Sequence, residues 1–157
     1  MMGFAMLHKS DTLLVQFDLG YLLITEPRWN GGRDNLYLET DKTFAIPVRN
    51  GWVKSVYRGF VVGSSSFTPS AAEKAVADGV YDAIAFGRLF ISNPDLPERI
   101  RTGKKLNIYN TKTFYNRDPV VGYIDYPRFA EAKNFPMIAD ADIGNLPPPK
   151  KETRAKL

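Results

Sequence analysis

The 157-residue chain contains no cysteine and only one histidine, His8. The absence of cysteine excludes disulfides, thiolate-bound zinc and a cysteine nucleophile, and it suits a reducing interior. A single histidine is too few for a metal site built on imidazoles unless carboxylates supply the other ligands. We therefore predict no metal site, and we expect His8 to lie on the surface of a helix.

Long hydrophobic runs are also absent, so we expect no membrane-spanning helix. The apolar start, residues 1–7, is interrupted at once by polar residues, which argues against a secretion signal. The net charge is +4, but the last eight residues hold four basic side chains and one acidic one. The rest of the chain is therefore close to neutral, and we expect no nucleic-acid-binding surface.

Three short, almost wholly apolar runs predict strands that are buried on both faces, at residues 19–25, 57–63 and 81–86. Residues 1–17 have a weak helical pattern. Residues 28–50 have no clear period and predict a long loop with a short strand at its centre. Strands that alternate with helices along the chain are typical of a parallel sheet.

A helix is predicted between the second and third strands. Thr68 precedes Pro69, a favoured residue at the first helical position, and Ser70 with Glu73 matches a capping box. Gly79 is expected to end this helix.

A second helix is predicted over residues 96–102, ending at Gly103. Its expected cap is the Asn-Pro-Asp sequence of residues 93–95, with proline at the first helical position. The tail, residues 145–157, is rich in proline and basic residues and is predicted to be disordered.

Small and basic residues follow two of the predicted strands. Ser64, Ser65 and Ser66 follow the second strand, and Gly87 and Arg88 follow the third. Since parallel strands end at the same edge of a sheet, these residues predict an anion site in which Arg88 binds a phosphate.

An alternative interpretation gives these residues no ligand. In it Arg88 pairs with a carboxylate such as Asp95, and the serines form an ordinary turn. Spacing alone leaves both interpretations open, because sites for anions at such turns are common and unspecific.

Several linked stretches together resemble the C-terminal part of the Old Yellow Enzyme family, and its plant 12-oxophytodienoate reductases in particular. They are TEPR at residues 25–28, RGFVV at 58–62, FGRLFISNPDLPERI at 86–100, LNIY at 106–109, TFY at 113–115 and GYIDYP at 122–127. The resemblance implies an α/β fold, a partial (β/α)8 TIM barrel corresponding to about its last three βα units plus a C-terminal extension. Residues 1–127 would form the barrel part, residues 128–144 the extension and residues 145–157 the tail.

The resemblance also implies a function. Members of the family bind FMN, take hydride from NADPH and reduce activated alkenes such as enones. The positions that match the family's cofactor-binding residues are Ser65, Ser66, Gly87, Arg88, Phe114 and Tyr115. The first four match the phosphate-binding loops, and the aromatic pair matches residues at the dimethylbenzene edge of the flavin. The alternative for the aromatic pair is plain core packing.

The sequence departs from the family pattern in two ways. Ser65 and Ser66 stand where the family usually has two glycines, and the first five barrel strands have no counterpart. The pair that anchors the substrate carbonyl and the proton-donor tyrosine belong to those strands, so we expect no catalytic residue here. We expect a truncated ene-reductase chain that forms a homo-oligomer or joins a complementing N-terminal half.

Two other functions are considered. One is a non-catalytic FMN- or phosphate-binding remnant, or an interaction module of the same fold. The other is a phosphosugar barrel enzyme, which leaves the aromatic segment and the GYIDYP ending unexplained.

The last three residues, Ala155, Lys156 and Leu157, are close to the Ser-Lys-Leu signal for peroxisomes. They predict a peroxisomal protein, and without them a cytoplasmic location is expected.

Overall fold

Three short strands form a parallel sheet in the computed structural model, which describes residues 19–26, 50–115 and 117–143. The strands are β1 (Leu22–Thr25), β2 (Val61–Ser64) and β3 (Ala83–Ala85), in the order β1-β2-β3. Leu22 lies opposite Val61, and Gly63 lies opposite Ile84. The predicted parallel sheet is confirmed. The predictions for residues 1–17, 28–49 and 145–157 lie outside the described residues.

The second and third strands are shorter than predicted, because hydrogen bonds made by the residues before them fix where each strand begins. A short helix, α1 (Val53–Val56), is followed by Tyr57, whose amide donates to the carbonyl of Val53 at 2.8 Å, so that β2 begins only at Val61. Asp82 precedes β3, and its amide donates to the carbonyl of Val61 at 2.8 Å. Its carboxylate accepts from the amide of Val61 at 2.7 Å, which links the starts of the two strands.

The first and third strands are not buried on both faces, so those predictions were wrong; in β3, Ala83 and Ile84 are half-buried and Ala85 is exposed. Along β1 half-buried and exposed residues alternate, and Leu23 is 54% exposed. Alternation of this kind is expected when only one face of a strand is covered. Among the described residues β1 is an end strand of the sheet, and Leu22 and Ile24 pack against the core while Leu23 points away from it.

The helix α2 (Pro69–Ala77) connects β2 to β3. Its N-cap is Thr68, whose hydroxyl accepts from the amide of Ala71 at 3.1 Å, and Pro69 is at the first helical position, as predicted. The capping box that begins at Ser70 was a wrong prediction, because the helix already starts before that residue. Gly79, at φ +69°, follows the helix in the left-handed conformation that glycine favours.

Two helices follow β3, α3 (Arg88–Ser92) and α4 (Leu96–Arg101). The α4 helix agrees with its prediction to within one residue, whereas α3 was not predicted. The predicted cap at residues 93–95 is confirmed in position only: Asp95 is the N-cap residue of α4, but its side chain makes no capping bond, and the proline of the first turn is Pro97 rather than Pro94. The side chain of Asn93 is buried and bonds elsewhere, donating to Leu89 at 2.8 Å and accepting from the amide of Asn107 at 2.7 Å.

The C-terminal segments form a second small sheet. Its antiparallel strands are β4 (Leu106–Asn107) and β5 (Met137–Ile138), and 3-10 helices lie at Thr111–Thr113 and Asp140–Asp142. A buried apolar cluster joins this sheet to α3 and α4, and its members are Leu89, Leu96, Leu106, Tyr109, Ile138 and Ile143. The second sheet is thereby fixed beside the carboxyl end of β3, where α3 begins.

The guanidinium group of Arg99, on α4, is fully buried and bonded on several sides. Its Nε donates to Asp95 at 2.7 Å, and its two terminal nitrogens donate to Asn107 Oδ1 and to the carbonyls of Lys105 and Pro127 at 3.0–3.2 Å. The network therefore links α4, β4 and the segment around Pro127.

The Asp95 carboxylate completes this network by accepting from the amide of Phe129 at 2.9 Å. Burial raises the pKa of Asp95, but the bonds from Phe129 and Arg99 outweigh burial and hold the pKa below its usual value. A lowered folded-state pKa stabilises the fold above the unfolded pKa, and this stabilisation is lost as pH falls through the folded value.

Arg99→Met should destabilise the fold by about 3–5 kcal/mol, because it leaves Asp95 and Asn107 without their buried partner. Arg101→Met is the matched control on the same helix. Arg101 forms an exposed ion pair with Glu98, and its loss should cost at most about 1 kcal/mol. Urea unfolding of the two variants measures the difference, and equal losses in both would contradict the account.

Candidate functional site

A cavity of about 390 Å³ lies at the carboxyl ends of the three parallel strands. Parallel strands direct the loops that follow them to one edge of the sheet, so segments far apart in sequence meet there. The cavity is lined by Thr25, Ser64, Ser65, Ser66, Phe67, Ala85, Phe86, Gly87, Arg88 and Leu89. Four of the six predicted site residues are thus brought together: Ser65, Ser66, Gly87 and Arg88.

The floor of this cavity depends on a contact between β1 and β2. Glu26 is fully buried directly after β1, and its amide donates to the carbonyl of Ser64 at 3.0 Å. Its carboxylate accepts from the hydroxyl of Tyr81 and from the amide of Asn50, the latter at 3.2 Å. A buried carboxylate is favourable only when it is hydrogen-bonded, and here those bonds fix the strand ends beside the cavity.

Ser65 and Ser66 turn the chain sharply after β2. Both have a positive φ, +79° for Ser65 and +50° for Ser66. An L-residue in this region costs roughly 1–2 kcal/mol, and non-glycine examples are uncommon. The turn is therefore of the kind that glycine favours, although serine occupies both positions.

Arg88 lines the opposite wall of the cavity. Its Nη2 donates to the hydroxyl of Ser66 at 3.0 Å, and its Cζ lies 5.4 Å from the centroid of the Tyr109 ring. Tyr109 is fully buried, so it forms a rigid apolar support beneath the cation. These contacts place a positive charge beside the serine turn.

The alternative pairing of Arg88 with Asp95 is not found in the described part of the chain. The two carboxylate oxygens of Asp95 accept instead from Arg99 and from the amide of Phe129. Pairing with Asp95 in particular is therefore not observed, while the choice between a carboxylate partner and a phosphate ligand for Arg88 stays a prediction.

Gly87 lies between β3 and Arg88 and leaves open space at the cavity. A Cβ atom added to this residue would meet no heavy atom within 4 Å. A ligand can therefore approach the backbone here more closely than it could approach a residue with a side chain.

Phe114 and Tyr115 do not line this cavity. Phe114 is half-buried between Tyr109 and Tyr123, with ring centroids 5.9 and 6.3 Å away. Tyr115 is 96% exposed, has φ +58°, and donates its amide to the hydroxyl of Tyr123. Core packing therefore accounts in part for Phe114, but not for Tyr115.

Sequence reasoning gave no role to Tyr109, although this residue lies in the LNIY stretch. Tyr109 contacts both Arg88 and Phe114, and so connects the cavity to the aromatic segment. Its twenty-one-residue separation from Arg88 leaves no local signal in the sequence. Thr25 and Phe67 also line the cavity, and only their places next to strand ends could have indicated this.

In the part of the chain that the structure describes, no helix has the length and apolar character needed to cross a bilayer. The same residues contain no group of three or more acidic or histidine side chains arranged to hold a metal ion.

Comparison with known proteins identifies relatives over part of the chain, although no protein-family model matches it. A 12-oxophytodienoate reductase-like protein from Solanum lycopersicum is 38% identical over 107 residues, which cover 68% of this chain and 26% of that protein. The 12-oxophytodienoate reductase 7 of Oryza sativa subsp. japonica is 36% identical over 140 residues, 85% of this chain and 34% of that protein. The chain thus spans about a quarter to a third of the length of these curated relatives.

Solved structures lead to the same group of proteins. Morphinone reductase superposes with a TM-score of 0.63 and 33% identity over 83% of this chain and 32% of its own. The old yellow enzyme from Trypanosoma cruzi gives a TM-score of 0.62 and 29% identity over 80% of this chain and 30% of its own. Over the matched region the chain belongs to the Old Yellow Enzyme family. Its curated relatives within that family are the 12-oxophytodienoate reductases.

Tyr115→Asn should leave the free energy of unfolding unchanged or raise it by up to about 1 kcal/mol. The exposed ring buries little area, and asparagine tolerates positive φ better than tyrosine. Phe114→Ala should lower it by about 2 kcal/mol, less than the 3–5 kcal/mol of a fully buried phenylalanine. Urea unfolding compares the two, and a loss of more than 1 kcal/mol in Tyr115→Asn would show that Tyr115 is held by packing.

Proposed function

We propose that this chain forms the phosphate-binding end of an FMN-dependent ene-reductase that uses NADPH to reduce activated alkenes such as enones. The observation that carries the proposal is the cavity at the carboxyl ends of β2 and β3, with Arg88 on one wall and the serine turn on the other. Membership of the Old Yellow Enzyme family supports the flavin. A structure of morphinone reductase in complex with tetrahydroNAD supports a nicotinamide reductant.

The residues that line the cavity fit a phosphate monoester. Arg88 supplies a cation whose fork of N–H donors matches phosphate oxygens. Ser65 and Ser66 form a positive-φ turn that lines the cavity, and turns of successive backbone amides are a common form of anion site. Gly87 leaves open space on its side of the cavity. The 390 Å³ volume is sufficient for a phosphate group and part of the chain that carries it.

Each of the six site residues has a proposed task. The amides of Ser65, Ser66 and Gly87 donate to phosphate oxygens, and Arg88 neutralises their charge. Phe114 and Tyr115 would contact the dimethylbenzene edge of the flavin and the substrate entrance. FMN held by these residues would supply the hydride-transfer chemistry that links NADPH to the β-carbon of the alkene.

A second candidate function is a non-catalytic FMN- or phosphate-binding protein. It is favoured by the composition of the cavity, since Arg88 is the only ionisable side chain among the described residues that line it. An arginine does not release its proton near neutral pH, so none of the described lining residues can protonate a substrate carbon. Turnover of NADPH with an enone by the FMN-loaded chain separates the two functions, because the second predicts binding without turnover.

Arg88→Ala should weaken FMN binding by about 1.5–3 kcal/mol, the value of a hydrogen bond to a charged group. Arg58→Ala is the matched control, because Arg58 is exposed and precedes β2, at the opposite end of the sheet from the cavity. The affinities follow from the quenching of flavin fluorescence on titration, and bound FMN should also give the protein a yellow colour.

Equal FMN affinity in the Arg88 and Arg58 variants would show that Arg88 is not a phosphate ligand. A colourless protein that takes up no flavin when FMN is added would rule out the proposed function for the isolated chain.

We also propose that the protein enters peroxisomes by its last three residues, Ala155, Lys156 and Leu157, which lie outside the described residues. A fluorescent protein fused to the N-terminus of the chain should then accumulate in peroxisomes of plant cells. Removal of the three residues should leave the fusion in the cytoplasm. The same distribution with and without them would contradict the proposal.

A further inference from the structure

Three consecutive serines follow the sheet at the cavity, and two of them have clear structural tasks. The hydroxyl of Ser64 donates to the carbonyl of Ile24 at 3.2 Å and so links β2 to β1. The hydroxyl of Ser66 accepts from Arg88 at 3.0 Å and so orients the guanidinium group. Ser65, between them, has no comparable bond.

The Ser65 hydroxyl is withdrawn from water, and it has no hydrogen-bond partner among the described residues. Buried polar groups are nearly always bonded, and an exception requires a specific explanation. Ser65 also has φ +79°, a conformation in which a residue with a Cβ is strained and glycine is not. The chain therefore holds a serine where both its backbone and its side chain are unfavourable for folding.

Ser65 also lines the same cavity as Arg88. Rotation about the Cα–Cβ bond carries a serine hydroxyl between staggered positions, so its present orientation does not prevent it from facing a ligand. A hydroxyl that donates to an anion forms a charge-assisted bond, which is stronger than a bond between neutral groups. An anion beside Arg88 would thus provide the partner that the fold does not.

We infer that Ser65 is a direct ligand of the anion in this cavity through its side-chain hydroxyl, in addition to its backbone amide. The inference rests on the proposed function for the identity of the ligand, a phosphate monoester such as that of FMN. The hydroxyl would donate to a phosphate oxygen and so gain the hydrogen bond that it lacks among the described residues. Without a ligand, the strained backbone and the missing hydrogen bond of the Ser65 hydroxyl lower the stability of the protein. Binding of the anion supplies that hydrogen bond.

The test uses the full chain with Ser65→Gly and Ser65→Ala, which should differ in their effect on folding and have the same effect on binding. Glycine removes the Cβ and relieves the strained turn, so the melting temperature should rise by about 2–4 °C. Alanine keeps the Cβ and should leave the melting temperature within about 2 °C of the unaltered chain. Both remove the hydroxyl and should weaken FMN binding about tenfold or more.

Two controls test whether the effect depends on the phosphate group of the ligand and on the position of the serine in the cavity. Riboflavin lacks the phosphate, so its affinity should be the same in the unaltered chain and in both variants. Ser55→Ala removes an exposed hydroxyl on α1, outside the cavity, and should leave FMN binding unchanged. Fluorescence titration gives the flavin affinities, and the same proteins are titrated with inorganic phosphate by calorimetry.

The outcomes separate this inference from the proposed function. If the unaltered chain binds FMN and Ser65→Ala binds it equally well, the inference is wrong and the proposed function stands. If the chain binds inorganic phosphate through Ser65 but binds FMN no better than riboflavin, the inference stands and the proposed function fails. Binding of neither FMN nor phosphate overturns both.

Discussion

The buried cation of Arg99 organises the part of the molecule that supports the site. It joins α4 to β4 and to the segment around Pro127, and its partner Asp95 adds the amide of Phe129. A charge removed from water is tolerated only when all its hydrogen-bond partners are in place. The folding of these segments is therefore expected to be cooperative. Tyr109 follows β4 by two residues, and its ring supports Arg88 at the cavity. The position of the Arg88 cation therefore depends, through β4, on the Arg99 network.

The cavity itself is built from features that are unfavourable in isolation. Two serines occupy left-handed backbone conformations, the buried hydroxyl of Ser65 has no partner within the described ranges, and a cation lies beside them. Strain of this kind is concentrated at functional sites, where a ligand supplies the missing interactions. A phosphate group would do so here, since it brings negative charge to Arg88 and acceptor oxygens to the turn. FMN, the ligand named in the proposed function, carries such a group.

Local signals in the sequence predicted the parts of the fold that depend on near neighbours. Thr68 with Pro69 marked the start of α2, and the apolar runs predicted the parallel sheet. The errors arose where contacts are distant in sequence. Asn93 bonds to Asn107 rather than capping a helix, and the exposure of Leu23 depends on which faces of β1 are covered.

For the site too, the order of the strands was enough to predict some features, whereas contacts distant in sequence decided the others. The order of strands placed Ser65, Ser66, Gly87 and Arg88 at one edge of the sheet, and the structure shows them around one cavity. Their role as FMN ligands, with that of Phe114 and Tyr115, stays a prediction. The support of Arg88 by Tyr109 could not be predicted, because no local pattern connects residues that meet only in the folded chain.

The central claim is that this cavity binds the phosphate of FMN, and phosphorus NMR observes that group directly. The account predicts that the ³¹P resonance of FMN shifts and broadens when the chain is added, because the phosphate exchanges water for Arg88 and the serine turn. It also predicts that addition of excess inorganic phosphate returns the resonance towards its free position. A ³¹P signal that stays at the position and width of free FMN, at protein concentrations where the flavin fluorescence is quenched, would contradict it.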